Sequence, residues 1–340
     1  MRIIYISKNM NNYKGAMYQR DVMEEFANQT DVIFYGPGFE GFEPTESIES
    51  AIQRMGGADL LIVGHAWLYD LPGAPVDEYP ELHLEDCSIP KVVILNKEYT
   101  NLEAKLRWIR DKNFMHGFSH HHDVGFYEEK TGVCFTFWPF AFKEGLFGKQ
   151  GQEPKDIDFA FSGLLKNTAN DTGQSDARIL VMRRLFHCIG DIPVVPRRRY
   201  KSNKIFWNAI ARKFWQRRLA VYLSRYRFLS DLEYASLQRR SRVYLNTLSP
   251  AGLVSPRFSE NMASKALVFC EESDNIKRIF PSNCYITFRS DLGDFEEKFE
   301  MAVSDGDERT KIVEYAYDLA MTEHTWKVRV NDMLKIIHSS

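Results

Sequence analysis

The stretch SPRFSENMASKALVF, residues 255–269, decides how this chain is read. A polar turn around Pro256 leads into a short helical stretch, which ends in the apolar run Ala266–Phe269, a buried strand by composition. Arg257 and Glu260 lie one turn apart at the start of the helix, where side chains three positions apart are neighbours. On the residues alone Glu260 has two readings. It caps its helix and pairs with Arg257, or its carboxylate, with about four acceptor positions, grips the hydroxyls of a ligand.

The same grain runs through the rest of the chain. RIIYI (2–6), DVIFY (31–35), DLLIVG (59–64), KVVILN (91–96), FMHGF (114–118) and VCFTFW (133–138) read as strands. AMYQRDVMEEFANQ, between the first two, has a helical apolar period. Continuous apolar strands are buried on both faces, which implies a parallel sheet flanked by helices. After the polar linker GKQGQEPKD (148–156) the pattern restarts with IDFAFSG (157–163), DIPVV (191–195), RVYLN (242–246), ALVFC (266–270) and CYITF (284–288). The expected fold is α/β, with two doubly wound Rossmann-like domains facing a central cleft. The expected boundaries are 1–150 for the first domain, 155–318 for the second, and a tail at 319–340 whose last helix crosses back to the first domain. Such length suits two domains of about 150 residues each, and ligands of these folds sit beyond the carboxyl ends of the strands.

Bulk properties narrow the classes. The 340 residues are 44% hydrophobic and 26% charged with net charge −2, an ordinary globular balance and not that of a nucleic-acid-binding chain. No run approaches the about 20 apolar residues that span a bilayer, and Met1–Ser7 reads as a strand, not a signal peptide. The five cysteines have neither metal nor redox spacing. A cytoplasmic protein, possible at the inner membrane face as a peripheral one, is expected.

Four segments, DFAFSGLL with downstream Arg178, LEYASLQRRSRVYLNT (232–247), RFSENMASKALVF and EHTWKVRVNDML (323–334), occur in the order found in GT-B type glycosyltransferases. The chain resembles the branch related to spore-maturation-protein-like sugar transferases over most of residues 155–338. YGPGF (35–39) and WPFAF (138–142) carry a looser likeness in the first half. The resemblance implies a nucleotide-sugar donor whose ribose hydroxyls meet Glu260, with the diphosphate near Ser162, Gly163, Lys166 and Arg178 and with Arg257 as phosphate or structural partner. It implies no catalytic metal and no further cofactor. Two positions depart from the family: Gly252 stands where many retaining relatives carry a glutamate, and Lys265 where a glycine is usual. The stereochemical outcome therefore stays open. An inverting reaction needs a general base, for which His65, after a buried strand, and nearby Asp70 are candidates, against the reading of a histidine satisfied by backbone. The loop 9–18 is a further contact candidate through Lys14 and Gly15.

Two other segments call for a reading. In HGFSHHHDVGFYEE an extended backbone would put His120 and His122 on one side with Asp123, but a structural role is favoured over zinc. The segment 197–227 holds eleven Lys or Arg and no Asp or Glu, interleaved with aromatics, and is expected as a basic amphipathic helix. It suits an anionic membrane surface or an acidic, lipid-linked or polysaccharide acceptor glycan more than nucleic acid. The alternative function is a non-catalytic GT-B-like protein binding membrane, polyanion or nucleic acid through this segment.

Overall fold

The computed structural model describes residues 1–11, 17–65, 67, 81–148, 153–163, 205–209, 217–223, 229–249 and 252–339. Its contacts divide into two units, Met1–Phe140 with Trp326–Ser340, and Ala141–Thr325.

The first unit contains β1 (Arg2–Ile6), α1 (Met17–Gln29), β2 (Asp31–Tyr35), α2 (Ile48–Arg54), β3 (Leu60–Val63), β4 (Lys91–Leu95), α3 (Leu102–Asp111), β5 (His116–Ser119), α4 (Val124–Thr131) and β6 (Phe135–Phe137). The strands form one parallel sheet in the order β2-β1-β3-β4-β5-β6. All four residues of β3 are buried, as the continuous apolar run requires. A Cβ on Gly64, just beyond β3, would lie 2.0 Å from the Tyr5 ring, so glycine lets that ring pack under the strand end. The closing helix Trp326–Ser339 belongs to this unit. It is tied there by Gln29 Nε2 donating to Lys327 O at 2.9 Å and Trp138 Nε1 donating to Arg329 O at 2.9 Å.

In the second unit lie α5 (Glu144–Phe147), β7 (Ile157–Gly163), β8 (Ile205–Ala209), β9 (Arg217–Leu223), α6 (Asp231–Arg240), β10 (Ser241–Asn246), α7 (Arg257–Ala263), β11 (Leu267–Glu271), α8 (Asp274–Lys277), β12 (Tyr285–Phe288), α9 (Phe295–Val303) and α10 (Asp307–Glu323). Their sheet runs β12-β11-β10-β7-β9-β8, parallel except for the outer β8–β9 pair. A capping box starts α6: the Glu233 N–H donates to Ser230 Oγ at 3.3 Å and the Ser230 N–H to Glu233 Oε2 at 3.0 Å. Leu237 of α6 packs with Ile157, Ala160, Tyr244 and Ala266, whereas Phe159, Phe161, Val243, Leu245, Leu267 and Phe269 form a separate core cluster with Phe295 and Val303 of α9.

Two expectations change here. The segment 197–227 is not a helix where it is described. Residues 205–209 and 217–223 are antiparallel strands, and β9 also pairs with β7. In RRLAVYL the run Leu219–Leu223 is continuously apolar and of strand length, so sheet pairing overrides the helical reading. The tail expected from residue 319 divides at Thr325, because α10 continues to Glu323 with Ala320 fully buried. Phe142 then holds the turn through its N–H to His324 O at 3.2 Å. Among the described residues no helix is long and apolar enough to cross a membrane.

Candidate active site

The charged groups of the second unit gather where β7 and β10 end and α7 begins. Glu260 lies in the first turn of α7 and is 4% exposed. Its Oε2 accepts the Tyr234 hydroxyl at 2.7 Å and the Gln238 amide at 3.3 Å, both from α6. Those two donors are one helical turn apart, so one face of α6 reaches the same oxygen. Oε1 bonds no described residue. The Arg257 Nε donates to the Tyr234 hydroxyl oxygen at 3.2 Å, so a tyrosine stands between the arginine and the glutamate, accepting from one and donating to the other. The direct Arg257–Glu260 pairing of the capping reading is replaced by this bridging hydroxyl.

Position 163 gives the arginine its place. A Cβ there would lie 3.6 Å from Arg257 Nη1 and 3.7 Å from Nη2, so the bare backbone at the end of β7 receives the guanidinium. Both Nη atoms are without a hydrogen-bond partner among the described residues. Beside them, Ser162 Oγ and the Tyr244 hydroxyl are 2.6 Å apart. Burial pushes the Glu260 carboxyl above the usual range, and the Tyr234 hydrogen bond and Arg257 charge pull it partly back. Burial also works against the Arg257 charge, but Tyr234, Tyr244 and Glu260 outweigh it and keep the guanidinium firmly protonated. Burial lifts Tyr244 to about 12 and Tyr234 well above its ordinary value, so both phenols stay neutral donors. The set is a carboxylate with one open oxygen and a cation with two open nitrogens, held one turn apart. It can accept from hydroxyls and donate to an anion at once.

The corresponding end of the first unit differs. His65, after β3, and His120, after β5, are each 2% exposed. His120 Nδ1 lies 2.7 Å from Trp138 O, and a carbonyl only accepts, so Nδ1 carries the proton. In the neutral ring Nε2 then accepts, and His65 Nε2–H donates to it across 2.6 Å. His65 Nδ1 is left to face the Tyr5 hydroxyl at 3.5 Å. Burial, with the facing His120 adding, holds His65 well below 6.5; burial, with Arg329 adding, pushes His120 to about 3. The rings of Trp138, Phe140 and Trp326 enclose the pair.

The comparisons with known proteins agree with this architecture. Residues 181–335 match the family model described as glycosyl transferase-like. HepE of Anabaena, solved in complex with UDP-glucose, superposes with a TM-score of 0.59 over 100% of both chains at 9% identity. Sucrose-phosphate synthase of Thermosynechococcus elongatus gives 0.58 over 100% of this chain and 98% of its own at 10% identity. An alpha-glucosyltransferase solved with UDP and a mismatched 13-mer DNA gives 0.54 over 99% of each chain at 14% identity. At such identities the structural likeness speaks for the fold, and the family match for the chemistry. The chain has the GT-B fold and carries a glycosyl transferase-like segment over residues 181–335. No curated protein sequence matches it.

Within this fold the sequence-predicted residues separate. Ser162, Gly163, Arg257 and Glu260 come together. Lys14, Gly15, Asp70, Lys166 and Arg178 lie outside the described residues. Lys265 does not join the cluster. It precedes β11, at the amino end of the strands, where it pairs with Glu314 and lies 4.6 Å from the centre of the Tyr317 ring. Gly252 has φ +75°, and a Cβ there would meet Asn275 Nδ2 at 2.3 Å, so a glutamate in this loop would need a strained backbone and a displaced Asn275 side chain. The Asn275 amide donates instead to Gly252 O at 3.0 Å. His65 is corrected as a candidate base: buried, with its ring nitrogens turned to His120 and Tyr5, it has no open face for an acceptor hydroxyl. The His121 and His122 rings lie 4.4 Å apart, tilted on each other, and the backbone bends there instead of extending, so the His120–His122 pair that an extended backbone would give does not form. Among the described residues the group spaced for a metal is Glu81, His83 and Glu85, exposed and already engaged through Lys112. Tyr234, Gln238 and Tyr244 were not legible as site residues. Their segment carries the family likeness, but nothing in it marks which side chains reach Glu260.

Proposed function

We propose that the chain transfers a sugar from a nucleotide-sugar donor to a hydroxyl of a glycan or lipid-linked acceptor, with the donor nucleotide held by the second unit. The observation that carries this reading is the open Oε1 of Glu260, clamped through Oε2 by Tyr234 and Gln238. A carboxylate fixed through one oxygen presents the other to vicinal ribose hydroxyls without a further ordering cost. Arg257, with both Nη atoms open beside Gly163, faces the diphosphate. As the glycosidic bond to the diphosphate breaks, charge builds on the departing nucleotide, and a preorganised guanidinium stabilises it where it forms. The reading takes its donor class from HepE, whose structure holds UDP-glucose. Catalysis without a metal is part of the proposal, since Arg257 supplies the positive charge. So is a cytoplasmic setting, with the polysaccharide or lipid-linked acceptor at the inner membrane face. The basic segment 197–227 remains the part of the chain suited by composition to an anionic acceptor or surface.

The test is a calorimetric titration of UDP, UDP-glucose and the other common nucleotide sugars into wild type and Glu260→Ala, followed by a hydrolysis assay without acceptor. Saturable binding of one nucleotide that Glu260→Ala weakens strongly, with slow release of free sugar, supports the reading. Absence of binding by every nucleotide to wild type sinks it.

A further inference from the structure

Helices α6 and α7 supply the Glu260 network from their interiors, yet a single side chain joins their far ends. The Lys155 ammonium donates to Ser241 O at 2.8 Å and to Ser264 O at 2.7 Å. Ser241 caps the carboxyl end of α6 and Ser264 that of α7. Both carbonyls lie at the negative ends of helix dipoles, where a cation is most favourable. Gln238 stands three residues before one pinned carbonyl, and the Glu260 carbonyl accepts the Ser264 N–H at 3.0 Å. Each pinned carbonyl is therefore about one turn from a member of the network. The lysine is itself held on both sides: Glu153 Oε1 accepts from Arg239 Nη2 at 2.8 Å and Asp156 Oδ2 from Arg240 Nη2 at 2.5 Å, both arginines at the end of α6.

We infer that Lys155 is a positioning residue for the donor site: by tying the carboxyl ends of α6 and α7 together, it fixes Tyr234 and Gln238 of one helix against Glu260 of the other. The inference rests on the function proposed above and names what holds that site in register. The residue never touches the ligand. Its charge also titrates in an accessible range, because burial, with Arg309 of α10, Lys265 and Arg239 of α6 adding and Glu153 opposing, lowers it to about 7. Arg309, Lys265 and Arg239 are themselves paired, with Asp305, Glu314 and Glu153. Above that pH the amine still donates to both carbonyls but without charge, and charged donors bond roughly twice as strongly as neutral ones.

Two measurements test it. The first needs no ligand: thermal unfolding of wild type, Lys155→Met, Tyr234→Phe and the double variant. If Lys155 sets the Tyr234–Glu260 contact, removing the Tyr234 hydroxyl lowers Tm in wild type and changes little in Lys155→Met. Additive shifts overturn the inference. The second is UDP titration between pH 6 and 9. Affinity for wild type should fall as pH rises through about 7, while Lys155→Met binds about tenfold more weakly at pH 6, a difference of the size expected for misplacing one charged hydrogen bond. Lys155→Met should show only the pH slope of UDP itself. Wild-type affinity and slope retained in Lys155→Met also overturn it. If UDP binds neither protein, the donor reading fails while the ligand-free cycle still decides on Lys155. Should Lys155→Met not fold, Lys155→Gln, which keeps a donor and loses the charge, serves both arms with the same expectations.

Discussion

The two sheets end in opposite ways. Beyond β3 and β5 in the first unit, His65 and His120 satisfy each other, pass their remaining nitrogens to Trp138 O and Tyr5, and are sealed by aromatic rings. Beyond β7 and β10 in the second, Glu260 and Arg257 are held as firmly but each keeps an unbonded face. Titratable groups at strand ends are thus not a site by virtue of position. What separates the two is whether hydrogen-bonding capacity is consumed internally or left over for a ligand.

The largest test of that contrast removes the open face. Glu260→Ala should weaken nucleotide binding by about 100-fold, since a charged acceptor serving two hydroxyls is worth roughly 3 kcal/mol, with Tm moving far less than affinity. Equal binding by the variant, read by calorimetry, would place the ribose elsewhere. Its pH dependence has a defined sign. Because the Glu260 carboxyl is pushed up, the acceptor form is lost at a higher pH than for an ordinary carboxylate as the solution is acidified.

Next in size is the closed pair. His120→Phe leaves the His65 Nε2–H buried without its acceptor and should cost about 2 kcal/mol of stability. The double variant His65→Phe/His120→Phe should cost less than the sum of the singles, because no orphan remains. Urea unfolding measures both, and strict additivity would break the comparison. Acid supplies a second check. Unfolded histidines take up protons near pH 6.5, whereas His120 does so only near 3. The unfolded state therefore binds more protons in that window, and stability should be complete above about pH 6.5 and fall steadily toward pH 3.

Smaller still is Tyr234→Phe, which removes the donor to Glu260 and the acceptor for Arg257. It should weaken nucleotide binding by about fivefold, the effect of one hydrogen bond near 1 kcal/mol. An unchanged Kd in the same titration would show that Gln238 alone holds the carboxylate. The smallest effect is expected for Gly252→Ala, about 1 kcal/mol for a side chain forced to positive φ. Asn275→Ala should recover only the part owed to the clash, as Tm values of the single and double variants will show.

Much of this was legible in the residues. Continuous apolar runs mark strands buried on both faces whatever surrounds them, so the first sheet and strands β7, β10, β11 and β12 of the second could be read in advance. Arg257 and Glu260 could be singled out because a one-turn spacing fixes their neighbourhood within a single helix. Lys265 misled because it is adjacent in sequence to the site helix. In a turn–helix–strand unit, however, a few residues carry the chain from the carboxyl end of the sheet to its amino end. His65 misled because a histidine after a strand looks the same whether or not another histidine, 55 residues on, faces it. The segment 197–227 misled because its composition is compatible with either period, and pairing with β7 settles its described parts as strand.

By itself the sequence determined the fold class, the repeat of the sheet pattern and the helix that bears the candidate site. Those follow from local periodicity and from the burial of apolar side chains, which each segment carries with it. Only the tertiary structure decided which polar groups are spent and which remain open. Hydrogen bonds are short and directional, so Tyr234 reaching Glu260, Lys155 reaching two helix ends and His65 meeting His120 depend on packing between distant segments.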